Sequence, residues 1–108
     1  MNISGSLLEF LADMRKWFGR DFNPHLSEMK LSRLAGYIQG YLTARTQHGM
    51  PDALAEELLD WLRAKGEYPP EGWEAKLRRD FGNDEVKAIH KFLDLAAEFM
   101  RTKGLYPV

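Results

Sequence analysis

Apolar residues recur along this chain at three- and four-residue intervals and almost nowhere alternate, which predicts helices and no convincing strand. The first helix spans about Ser6 to Phe18, with Leu7, Phe10, Leu11, Met14, Trp17 and Phe18 on one stripe. Ser6 and Glu9 have the spacing of a capping box, and Gly19 is a natural stop. A polar connection with an Asn23-Pro24 turn signal follows, and Ser27 is placed to cap a second helix ending near Gln47 to Gly49. Pro51 suits the first position of a third helix that buries Leu54, Leu58, Trp61 and Leu62 and stops at Gly66. Tyr68-Pro69-Pro70 reads as a stiff linker. A short fourth helix, Trp73 to Phe81, aligns Trp73, Leu77 and Phe81, and Gly82 ends it. Asn83 or Asp84 caps a fifth helix that runs to about Lys103 before Gly104. Its apolar face holds Val86, Ile89, Phe92, Leu93, Ala96, Phe99 and Met100. The expected fold is an all-α compact bundle of about five helices, one domain over residues 1–108.

Within the second helix, Leu31 to Thr46, Gly36, Gly40 and Ala44 stack at four-residue spacing, with Tyr37 and Tyr41 beside them. A glycine inside a helix costs about 1 kcal/mol relative to alanine. Two of them one turn apart predict a smooth ridge against which another helix packs closely.

Fifteen Lys and Arg against sixteen Asp and Glu leave a net charge of −1, which gives no general pull toward nucleic acid or an anionic membrane. The absence of cysteine excludes disulfides, thiolate zinc sites and cysteine nucleophiles. The first helix carries Glu9 and Asp13 among its apolar residues and has no basic leader, unlike a signal peptide. No apolar run approaches the roughly 18 residues of a membrane span. A cytoplasmic protein is expected.

Candidate chemistry is sparse. His25, His48 and His90 are scattered, and His90 with Asp94 is the one ligand-like pair at i, i+4, a weak signal that a helix-surface hydrogen bond explains better. Ser4, Ser6, Ser27 and Ser32 sit at caps or helix starts rather than in a nucleophile elbow. Gly36-x-x-x-Gly40 lacks the ending of a phosphate-binding loop. No enzyme, metal, cofactor or small-molecule substrate is expected. Arg15, Lys16 and Arg20 near the end of the first helix, with Arg78 and Arg79 in the fourth, are the cations a nucleic-acid-binding regulator would use. The doubly proline-marked connection between helices three and four is unlike the short turn of a helix-turn-helix.

An acidic face is better developed. Asp52, Glu56 and Asp60 recur along the third helix with Leu59 at the edge of its apolar stripe, and Glu57, Glu67 and Glu71 extend the run toward the prolines. Such a face is either the solvated side of an amphipathic helix or a docking surface for a basic partner. Trp17, Trp61 and Trp73 fall on apolar faces and are expected in the core, while Tyr68 and Trp73 flank the proline linker and could be partly exposed.

Leu34-x-x-Tyr37-x-x-Gly40-Tyr41, then Gly72-Trp73, then Glu85 to Phe99 (EVKAIHKFLDLAAEF) make the chain similar, from roughly Leu8 to Met100, to small helical immunity proteins of bacterial contact-dependent growth inhibition and polymorphic toxin systems. The resemblance implies a small cytoplasmic protein that binds the C-terminal domain of a cognate toxin and occludes its active site. Many such domains cleave nucleic acids in basic grooves, so Glu56, Glu57, Asp60, Glu67 and Glu71 become the expected electrostatic contacts, with Leu59 and Tyr68 as apolar anchors. The competing readings are a small helical nucleic-acid-binding regulator and a self-assembling subunit.

Overall fold

A computed structural model describes residue 3 and residues 5–18 and 30–105. Among them five helices follow one another: α1 (Leu7–Phe18), α2 (Leu31–Gln47), α3 (Ala53–Lys65), α4 (Trp73–Phe81) and α5 (Glu85–Thr102). The expected all-α bundle is what forms, and no described residue is in a strand. Ser4, Gly19, Arg20, the Asn23-Pro24 turn, His25, Ser27 and the side chains of Trp17 and Phe18 lie outside the described residues.

The bundle is organised around α5, which packs against all four other helices. Its buried residues are Ala88, Ile89, Phe92, Leu93, Leu95, Ala96, Ala97, Phe99 and Met100, a wider band than one stripe, as a central helix requires. Val86, expected in that face, is 41% exposed, because it lies in the first turn of α5, before the buried band begins at Ala88. Trp73 stacks on Phe92 at 4.2 Å between ring centroids and ties α4 to the centre, and Trp61 meets Phe99 edge-on at 5.7 Å. Trp73 is therefore core rather than partly exposed.

Glycines and carboxylates set most helix ends. Gly66 closes α3 with φ +83, a left-handed conformation that only glycine adopts without strain. The Asp84 side chain accepts from the Lys87 N–H at the start of α5. Pro51 does not open α3. Asp52 takes the cap position by accepting from the Ala55 N–H, which leaves Pro51 outside the helix. That role also removes Asp52 from the acidic surface, because its side chain is buried.

The same carboxylate caps a second helix. Asp52 Oδ2 accepts from the Leu7 N–H at 2.7 Å, and the Ser6 hydroxyl donates to both carboxylate oxygens at 2.9 and 3.0 Å. The Tyr41 hydroxyl lies 3.1 Å from Oδ2, and Arg45 donates to Tyr41 Oη, the Gly5 carbonyl and the Met50 carbonyl. Glu9 completes a modified capping box by accepting from the Gly5 N–H rather than that of Ser6. One buried carboxylate thus joins the starts of α1 and α3 to the last turns of α2. At the other end of α2 no side chain of its own caps it, and Glu85 of α5 accepts from the Leu31 N–H at 3.2 Å.

Candidate functional site

The glycine ridge does not pack against a helix. Gly36, Gly40 and Ala44 are exposed, and a Cβ added at either glycine would meet nothing within 4 Å. The reason is the position of the ridge around α2, opposite the face formed by buried Leu31, Leu34 and Ile38 and half-buried Tyr41 and Leu42. Burial of that apolar face against α5 fixes the rotation of the helix and turns the small residues outward.

With α2 so placed, a groove opens between it on one side and α3, the proline linker and α4 on the other. Its larger part, about 560 Å³, has a floor of Ala35, Ile38, Leu42, Leu59 and Trp73. Tyr68 and Ala75 continue the apolar lining, and Ser32, Gly36 and Gln39 form the α2 wall. Glu71, Glu74 and Arg78 form the opposite rim. A second part, about 340 Å³, shares Gln39, Leu42 and Leu59 with the first and runs on to Thr43, Thr46, Gln47 and Glu56. Every α2 residue along the groove is uncharged, whereas the far side presents three carboxylates and one guanidinium.

Rim and wall are held in place by interactions at the two ends of the groove. The Asp52 cluster fixes where α2 ends relative to where α3 begins, and so sets the spacing at the Glu56 end. At the other end, α4 is anchored through Trp73 and Leu77 and braced by ion pairs. Arg78 reaches Glu74 at 2.7 Å and Glu85 at 3.4 Å, and Arg79 reaches Glu71 at 2.9 Å. Lys76 sits 3.3 Å from half-buried Glu67 and also pairs with Asp80. The hydrogen bond to Asp80 is the main reason the Lys76 ammonium is held above its ordinary range, and Asp80 is lowered in turn. The Glu71 carboxyl is lowered by its own backbone N–H and by Arg79.

The seven residues expected to contact a partner are thereby divided. Glu56, Leu59, Tyr68 and Glu71 come together along the groove. Glu57, Asp60 and Glu67 do not line it. Asp60 pairs with Arg63 at 2.8 Å, and the Arg63 guanidinium lies 4.3 Å over the Tyr68 ring. Among the described residues, no cation pairs with Glu56 or Glu57. Leu59 is 8% exposed, a floor residue rather than a protruding anchor.

The α2 wall and Glu74 were not visible as site residues in the sequence. The available signal was the composition of α2, whose seventeen residues include only Arg33 and Arg45 as charges and no acid. The cations that nucleic acid would need are largely committed: Arg78 and Arg79 as above, and Arg15 to Asp94 at 3.1 Å. Among the described residues, no three His, Cys, Asp or Glu side chains converge as metal ligands, and no helix is long and apolar enough to cross a membrane. No protein-family model, curated protein or solved structure matches this chain.

Proposed function

We propose that this chain is a small binding protein of the immunity type, which neutralises a cognate bacterial toxin domain by docking over its working surface. The observation that carries the reading is the groove between α2 and the α3–α4 side, where Glu56, Leu59, Tyr68 and Glu71 meet on an apolar floor with a net acidic rim. An open cleft with an apolar floor and carboxylates at its edge favours a protein surface that brings its own apolar residues and cations. Docking of this kind needs no chemistry from the chain itself. Occlusion of the toxin's substrate groove is sufficient, and a toxin that handles nucleic acid presents the basic surface that the rim complements.

The test is binding to the C-terminal domain encoded immediately upstream of this chain's gene, combined with growth of cells expressing that domain. One-to-one binding with rescue is expected, and Glu56→Lys with Glu71→Lys should slow association and weaken it. The absence of both binding and rescue would refute the immunity reading. Salt-sensitive binding to nucleic acid that is lost on removing Arg78 and Arg79 would replace it with the regulator reading.

A further inference from the structure

The groove also specifies what kind of segment it receives. Both long walls are helices, whose backbone groups are satisfied internally, so the groove offers no strand edge for an extended peptide to join. An occupant must satisfy its own backbone, and a helix does so. Along α2 the groove runs from Ser32 to Gln47, about 22 Å at 1.5 Å per residue, which matches roughly four turns of a docked helix. Ala35, Gly36 and Thr43 on that wall are small enough to admit close axial approach.

Charge decides the orientation. The α2 wall has no charged residue, while Glu56, Glu71 and Glu74 face it across the floor, Glu74 paired with Arg78 and Glu71 with Arg79. Glu56 has no cation partner among the described residues, and it stands at the end of the groove away from Arg78. An occupant with a uniformly basic exterior would waste its charge on the α2 side, and an acidic one would be repelled from the rim.

We infer that the groove receives an amphipathic helix of the partner, its apolar face on Leu42, Leu59 and Trp73, with Lys or Arg on the flank that meets Glu56, the rim carboxylate that no cation of the described residues pairs. This rests on the protein-binding reading above but not on the partner being a toxin. The helix lies with its uncharged flank against α2, so its cations are confined to one side.

The probe is a display library of helix-forming peptides about four turns long, randomised on both flanks and selected on the full chain. Two variants read the site: Gly36→Leu, which projects a side chain into the groove from an exposed position, and Glu56→Lys. Peptides enriched on the wild type should carry an apolar stripe with cations on one flank. Their affinity should fall at least about tenfold in Gly36→Leu and several-fold in Glu56→Lys, with the helical spectrum of both variants unchanged. Enrichment of neutral or acidic peptides, affinity indifferent to Gly36→Leu, or no enrichment at all would overturn the proposal. A wild-type dimer that Gly36→Leu converts to monomer would overturn it too, by giving the groove to a second copy. Cell rescue separates the two claims. Rescue as complete with Gly36→Leu as with wild type discards the groove and keeps the immunity reading, whereas groove-dependent peptides without rescue do the reverse.

Discussion

Replacing Asp52 by alanine should be among the most damaging single changes in the chain, although the residue contributes no apolar surface to the core. The N-cap of α3 is lost, at about 1 kcal/mol. The Leu7 N–H, buried at the start of α1, loses its acceptor at a further 1–3 kcal/mol or so. The hydroxyls of Ser6 and Tyr41 are partly buried and recover some hydration, so together they add about 1 kcal/mol. The total is roughly 3–5 kcal/mol, and at about 4 °C per kcal/mol in a domain of this size the melting temperature should drop by roughly 12–20 °C. Urea and thermal denaturation followed by far-ultraviolet circular dichroism at neutral pH measure both quantities. Asp52→Asn is the sharper variant, since its amide must turn an N–H toward one of the donors that Asp52 now serves, and it should recover less than half of the loss. A cost for Asp52→Ala of no more than about 1 kcal/mol, the value of one ordinary cap, would refute the assignment of a single carboxylate to two helix starts.

The acid limb of stability should follow the same residue. Burial pushes the Asp52 carboxyl up, but the Leu7 and Ala55 N–H groups and the Ser6 and Tyr41 hydroxyls outweigh it and hold the group below its ordinary 3.8. A carboxyl lowered by folding stabilises fully above its unfolded value, and the contribution disappears as pH falls through the folded value. Urea midpoints measured downward from 3.8 should therefore decline more steeply in the wild type than in Asp52→Ala, and parallel curves would count against the cluster. Gly40→Ala should raise stability by about 0.5–1 kcal/mol, because the added methyl meets open space at a helical φ, whereas Gly66→Ala should lower it by about 1 kcal/mol at φ +83. Equal effects of the two in thermal melts would contradict that contrast. Trp73→Ala should cost about 3–5 kcal/mol and Val86→Ala no more than about 0.5 kcal/mol, a difference that tests whether the core ends where α5 enters it.

The helices were legible because their signals are local. Gly66, Gly82 and Asp84 act within a turn of their own position, and the stripes from Leu7 to Met14 and Ile89 to Met100 repeat at one period. The misreadings concern what faces what. Gly36 and Gly40 promised a close helix contact, yet small residues at four-residue spacing are compatible with any side of a helix, and the apolar majority of α2 decided which side went in. Asp52 read as a surface acid by spacing alone, since its partners at Ser6 and Leu7 are more than forty positions away. The candidate site was half legible. Glu56, Leu59, Tyr68 and Glu71 share a groove, but its uncharged wall depended on the rotation of α2, and the neutralisation of Asp60 and Glu67 depended on Arg63 and on Lys76 from α4.

Two helix starts in this bundle borrow their acceptors from other elements, α1 from Asp52 and α2 from Glu85. For sequence drift the borrowing acts as a ratchet. An ordinary cap can wander among serine, threonine, asparagine and aspartate with the damage confined to its own helix, but a change at residue 52 loosens two helices at once and takes an acceptor from the hydroxyls at 6 and 41. Substitutions there become tolerable only in company, so Ser6, Tyr41 and Asp52 should be exchanged as a set or kept as a set as the chain diverges. The exposed carboxylate at Glu56 carries no comparable debt, and it is free to change alone.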